Sequence, residues 1–158
     1  MFEGLRRQLG AADRPALRPA NAVAALLLQD DGRYLMQLRD DKAGIFFPGH
    51  WGCFGGAVED GEDPAQALRR ELREELELEL PGATRFTQID LDFSPLGYGK
   101  VYRLYYEANV SDAALRRLVL HEGVEVRAFE PAELLANHIV TPYDAFAVWM
   151  HGYRGRRA

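Results

Sequence analysis

The chain has 158 residues, with 19 Lys and Arg against 24 Asp and Glu, a formal net charge of −5. That length suits one domain with a real core, and 47% hydrophobic with 27% charged residues is ordinary globular composition, which excludes wholesale disorder. The acidic balance excludes a general nucleic-acid coat, which needs a basic face to displace counterions. The single cysteine, Cys53, excludes an internal disulfide. The longest apolar run, Ala22 to Leu28, falls far short of the ~20 residues that span a bilayer. The start, Met1 to Gln8, lacks the apolar core of a secretion signal. A cytoplasmic protein with no membrane and no nucleic-acid partner is expected.

Residues 1–20 read as an N-terminal helical segment and lead-in, with Pro15 and Pro19 in the linker-like stretch Gly10 to Ala20. The domain proper is expected over 21–158. Ala22 to Leu28 reads as a buried strand, Asp30-Asp31-Gly32 as a turn, and Arg33 to Leu38 as the return strand of a hairpin. Asp40 to Trp51 is a loop holding Gly44, Pro48 and Gly49 among Ile45, Phe46, Phe47 and Trp51. Cys53 to Val58 is β-like until Glu59-Asp60-Gly61-Glu62 breaks it.

The best-signposted helix follows. Asp63 suits the N-cap, Pro64 the first helical position, and Gln66 the place where a capping box wants Glu or Gln. Ala65, Leu68, Leu72 and Leu76 form a single apolar stripe. Two strand-like stretches come next, Phe86 to Phe93 and Val101 to Val110. Ser111 caps a short helix through Leu118, Val124 to Phe129 is a further strand, and Pro131 opens a helical turn. Thr141-Pro142 starts a terminal helix with Ala145, Phe146, Val148 and Trp149 facing inward. Strands and helices interleave irregularly, which predicts an α/β protein with a mixed sheet covered by helices.

The helix from Pro64 carries Glu71, Glu74 and Glu75 beside its stripe. Like charges at these spacings cost a few tenths of a kcal/mol per pair. A solvated acidic face is the plain alternative. Here, though, the carboxylates lie next to the core-facing edge and follow a turn holding Gly55, Gly56 and Gly61. Three carboxylates near backbone carbonyls suit a hard divalent cation such as Mg²⁺.

Gly56, five residues, Glu62, seven residues, then Arg70-Glu71-Leu72-Arg73-Glu74-Glu75 and finally Leu78 resembles the Nudix box, the signature of Nudix hydrolases. One position departs: the glycine expected before the last apolar residue is Glu77. The resemblance implies an α/β/α sandwich in which the box forms a loop–helix–loop. It implies Mg²⁺-dependent (alternatively Mn²⁺-dependent) cleavage of a nucleoside diphosphate linked to another moiety, by water attacking phosphorus. Glu71, Glu74 and Glu75 would then be the metal-binding carboxylates, and the Gly55 carbonyl the main-chain ligand. Arg70 would hold a box carboxylate and Glu62 would brace the loop. Either Glu71 or an acidic residue outside the box would take the proton of the water. Glu122, in His121-Glu122-Gly123, is the natural place for the latter, so the implied catalytic set is Glu71, Glu74, Arg70 and Glu122. An all-acidic site cannot bind a diphosphate unaided, so activity should depend wholly on the cation.

Arg39, Phe47 and Trp51 are the candidates for binding substrate. The rings of Phe46, Phe47 and Trp51 either stack on a base or sugar or close the core. Arg39 and Lys42 either meet phosphates or stay solvated. The segment Arg39 to Trp51 resembles an extended substrate loop of nucleotide-sugar members. Nucleotide sugars therefore lead, with nucleoside triphosphates as close rivals. The contrasting reading is a non-catalytic domain that only binds a nucleotide, against which the full carboxylate set argues. The N-terminal segment could serve pairing as a homodimer, which the sequence leaves open. Cys53 reads as buried filler. The alternation Leu76-Glu77-Leu78-Glu79-Leu80 leaves two backbones open, a helix that runs a turn further or one that ends at Glu77 with positive φ, and it favours the second.

Overall fold

The structure, a computed structural model, describes residues 17–154. All but the last four residues of the expected N-terminal helical segment lie outside the described residues. β1 (Ala22–Leu28) and β2 (Tyr34–Leu38) form the hairpin, closed by Gly32 N–H donating to the Gln29 carbonyl at 2.9 Å. β3 is only Trp51–Gly52, and the β-like stretch after it joins β1 through two isolated bridges, Ala25 with Phe54 and Ala22 with Ala57. Then come α1 (Pro64–Leu76), β4 (Thr84–Asp92), a 3₁₀ turn (Ser94–Leu96) and β5 (Lys100–Asn109). α2 (Asp112–Leu115), β6 (Glu125–Phe129), α3 (Pro131–Asn137) and α4 (Pro142–Tyr153) complete the described chain. The helix expected to run through Leu118 is shorter, ending at Leu115.

The strands make one mixed sheet in the order β3-β2-β1-β5-β4, with β6 on the other edge of β2. β1 and β5 run parallel and the remaining pairs are antiparallel. Residues two apart on a strand share a face, so β1 splits its apolar run between two layers. Val23, Ala25 and Leu27 pack under α1 with Leu68, Leu72 and Leu76. Ala24 and Leu26 pack on the opposite face, with Tyr34, Met36, Tyr105 and Phe129, beneath Leu134 of α3 and Val148 of α4. The result is the α/β/α sandwich with a mixed central sheet.

α1 starts where Asp63 Oδ1 accepts the N–H groups of Ala65 (2.9 Å) and Gln66 (3.3 Å). It ends at Glu77, in the left-handed region at φ 53°, ψ 32°, as the alternation beyond Leu76 favours. Glu77 N–H donates to the Arg73 carbonyl at 3.0 Å, the 5→1 bond of a left-handed helix end, and Leu78 N–H donates to the Leu72 carbonyl at 3.2 Å. One expectation for α4 is corrected. Phe146 and Trp149 are 50% and 47% exposed, while Asp144, Ala147, Val148 and His151 are the inward residues. Among the described residues, no helix is long and apolar enough to cross a membrane.

Candidate active site

The site is built where α1 faces the turn before it. Glu75 is 4% exposed, because the same face carries Leu68, Leu72 and Leu76 into the core. Its Oε2 accepts the Gly55 N–H at 2.9 Å and its Oε1 accepts from Gln37 Nε2 at 3.4 Å. Both donors are neutral, so burial pushes the Glu75 carboxyl up to about 8, with the charges of Glu71 and Glu122 adding to the rise. Gly55 has φ 134°, and a Cβ there would stand 2.2 Å from the Val23 carbonyl oxygen. Only glycine lets this turn lie against β1. The flanking carbonyls of Phe54 and Gly56 accept from Ala25 and Val23, at 2.8 and 2.9 Å.

Glu71 lies one turn back. A Cβ on Gly56 would come within 2.5 Å of its carboxylate atoms, so the missing side chain is the space Glu71 occupies. Burial raises the Glu71 carboxyl, offset by Arg70 and reinforced by Glu74 and Glu122. Arg70 gathers the loop: Nη1 donates to Glu71 Oε1 at 2.7 Å, Nε and Nη2 donate to Glu62 at 3.0 Å each, and Nη2 donates to the Ala57 carbonyl at 2.9 Å. Glu62 in turn accepts the Glu59 N–H at 3.0 Å, and the Arg70 guanidinium holds its carboxyl below the usual range. Glu74 turns outward to Arg70 Nη1 at 3.4 Å and is mostly exposed.

Glu122 comes from the loop before β6. It is exposed, and its charge bears on Glu71, Glu75 and Lys42. The site thus gathers oxygen donors from α1 and the α2–β6 loop, with two carboxyls raised by their surroundings. Such a set fits a hard divalent cation, whose charge would relieve the repulsion. As they stand, no three His, Cys, Asp or Glu side chains among the described residues are close enough together to hold an ion. The donors fit by chemistry rather than as a preformed cage.

The expected substrate residues divide. Trp51 is corrected: it is 6% exposed, edge-on to Phe129 with ring centroids 4.8 Å apart, and Arg127 lies over its ring at 5.2 Å. It closes the core instead of offering a stacking face. Arg39 braces the loop, its Nε donating to the Phe46 carbonyl at 3.0 Å. Phe47 is half-buried against His50 and Tyr143, at φ 50°, an uncommon conformation for a bulky residue. Lys42 pairs with Asp40 at 2.9 Å. Cys53 is buried, and burial pushes its thiol well above the usual range. Two residues carry structure that sequence reasoning missed. Gln37 bridges Glu75 and the Cys53 carbonyl, both at 3.4 Å. Asp144, 1% exposed, accepts from Cys53 N–H, Thr141 Oγ1, Tyr105 OH and Arg103. Their one advance signal is a polar residue inside an apolar run.

A family model described as the NUDIX domain matches residues 18–149. The chain belongs to the NUDIX family. Among its relatives is the nucleoside triphosphatase NudI of Escherichia coli O139:H28, 52% identical over 54 residues. That match covers 34% of this chain and 38% of NudI, so the chain spans little more than a third of the curated relatives it matches. Two solved structures share the NUDIX fold over nearly the whole chain. The MutT protein from Methanosarcina mazei Go1 has a TM-score of 0.72 at 18% identity, covering 93% of this chain and 100% of its own. The NUDIX domain of Shewanella oneidensis NrtR, solved with ADP ribose, has a TM-score of 0.68 at 17% identity, covering 98% and 99%.

Proposed function

We propose that the protein is a divalent-cation-dependent pyrophosphohydrolase that cleaves a nucleoside diphosphate linked to another moiety. The observation that carries this reading is the buried Glu75 carboxylate beside Glu71, at the Gly55–Gly56 turn, with the charge of Glu122 bearing on both. Glu71 and Glu75 would hold Mg²⁺, joined by Glu74 from its outward position and by the Gly55 carbonyl. Mn²⁺ has the same preference for oxygen donors. The cation would supply charge neutralisation at the phosphate oxygens and the leaving group. Arg70, tied to Glu62, holds the Glu71 carboxylate in place for that task. A carboxylate, Glu122 or Glu71, takes a proton from the attacking water as its oxygen bonds to phosphorus and the anhydride P–O bond breaks. Arg39 and Phe47, from the loop before β3, would bind the substrate.

The linked moiety separates two readings. The loop Arg39 to Trp51 favours a nucleotide sugar. The similarity to NudI, named a nucleoside triphosphatase, favours a nucleoside triphosphate. The same reading makes the protein a cytoplasmic one whose partner is a small nucleotide. Phosphorus NMR of ADP-ribose, UDP-glucose and the nucleoside triphosphates, each with protein and with Mg²⁺ or EDTA, tests it. Turnover of one class that stops with EDTA is the expected result. Thermal stabilisation by a nucleotide without any turnover would instead establish a binding domain.

A further inference from the structure

Glu122 sits on a strap, residues 119–124, whose ends are tied to different elements. On one side, Val119 N–H donates to the Leu76 carbonyl at 3.3 Å and His121 N–H to the Glu75 carbonyl at 2.9 Å. These are carbonyls that the end of α1 leaves without helical partners. His121 Nε2 also donates to Glu77 Oε1 at 2.7 Å. On the other side, Val124 N–H donates to the Leu38 carbonyl at 2.8 Å. Gly123, at φ 88°, lies so close to β2 that a Cβ would stand 2.9 Å from both the Leu38 carbonyl oxygen and Gln37 Oε1. Gln37 itself reaches Glu75. Glu122 is thus suspended between the end of the box helix and β2.

We propose that the Glu77–His121 pair is a positioning contact, which holds the strap against α1 so that the Glu122 carboxylate faces Glu71 and Glu75. The proposal rests on the reading of Glu122 given above. Glu77 stands where the Nudix box has glycine, and it takes the left-handed conformation that glycine adopts freely. An exposed side-chain hydrogen bond adds little stability, so it does not offset that strain by much. What Glu77 supplies and glycine lacks is a carboxylate that fixes the His121 ring beside the residue doing the chemistry.

The test compares Glu77→Gly, His121→Ala and Glu122→Gln, alone and with Glu77→Gly added to Glu122→Gln. Kinetics use the most active nucleotide of the panel with Mg²⁺, and amide hydrogen exchange is followed on the metal-free proteins. Glu77→Gly and His121→Ala should each lower kcat about tenfold with KM nearly unchanged, the scale expected when a reacting group is misplaced by a fraction of an ångström. Adding Glu77→Gly to Glu122→Gln should cost nothing further, because both act through one carboxylate. Glu77→Gln, whose amide oxygen still accepts from His121, should keep most of the rate. The His121 amide should exchange faster in Glu77→Gly even though that variant resists denaturant better. Unchanged exchange at His121, or slowing by Glu122→Gln without slowing by Glu77→Gly, would overturn the positioning role. Wild-type turnover in Glu122→Gln would instead overturn the reading of Glu122 on which it stands.

Discussion

The Gly55 N–H donates to the carboxylate of Glu75 at 2.9 Å, across twenty residues of sequence. This bond fastens the C-terminal turn of α1 to the turn that precedes the helix. A charged carboxylate so buried, with only neutral donors, is strained toward protonation, and a bound cation would remove that strain.

Glu75→Gln keeps the size and helix propensity of the side chain while deleting its charge. Steady-state kinetics should show kcat lower by about two or more orders of magnitude, a few kcal/mol of barrier. The metal-free variant should match wild type near pH 4.5 and be increasingly more stable than it as pH rises to 8.5, since Gln has no proton to lose.

The pH dependence of stability follows from the same group. The Glu75 carboxyl rises from 4.5 in the unfolded chain to about 8 in the native protein. Between those values the native state binds the extra proton. Metal-free stability is therefore fully present below about pH 4.5 as regards this group, and is lost as pH rises through about 8. The loss should be on the order of 3 kcal/mol in urea titrations, and Glu75→Gln should abolish most of it. A wild-type protein equally stable at pH 6 and pH 9 without metal would contradict the assignment.

Millimolar Mg²⁺ should raise the melting temperature relative to EDTA, because a cation that binds only the native site stabilises by mass action. At a hundredfold excess over its dissociation constant the gain is about 2.7 kcal/mol. Calorimetry without any nucleotide checks this. An identical melting temperature in both buffers would mean that the empty site does not take up the ion.

Glu77→Gly should stabilise the fold by about 1 kcal/mol, since a left-handed residue with a Cβ is disfavoured by that order. A falling chemical denaturation midpoint would show that the contact to His121 outweighs the backbone strain.

Asp144→Ala should destabilise far more, by about 3–5 kcal/mol, because it leaves the Arg103 guanidinium, Tyr105 OH and Cys53 N–H buried without their shared acceptor. Circular dichroism melts would register this directly, and a loss below about 1 kcal/mol would show that water replaces the carboxylate.

Local signals were the most readable part of the sequence. Seven apolar residues between an asparagine and a turn marked β1 to the residue, and Asp63-Pro64 with a four-residue apolar stripe marked α1. The end of α1 was legible at Glu77 because alternating leucines cannot continue a helix stripe. What needed tertiary contacts was hidden. In α4 hydropathy alone would put the large aromatics Phe146 and Trp149 inside, yet the inner stripe is Asp144, Ala147, Val148 and His151. Hydrogen bonds to distant partners make that burial tolerable: Asp144 to β5 and the Cys53 backbone, His151 to Tyr34 and Glu107. Trp51 shows the converse, since a ring in a loop-like stretch filled the space between Phe129 and His138. Within the site, the box motif named the carboxylates, while Gln37 was invisible because its partner lies thirty-eight residues away.

The central claim is that Glu75 is a cation ligand, and titration of the protein with Mn²⁺, followed by its electron paramagnetic resonance signal, tests it without any substrate. Wild type should bind the ion, and Glu75→Gln should bind it at least about tenfold more weakly, a loss of 1.4 kcal/mol or more. Equal affinity in the two proteins would contradict the account.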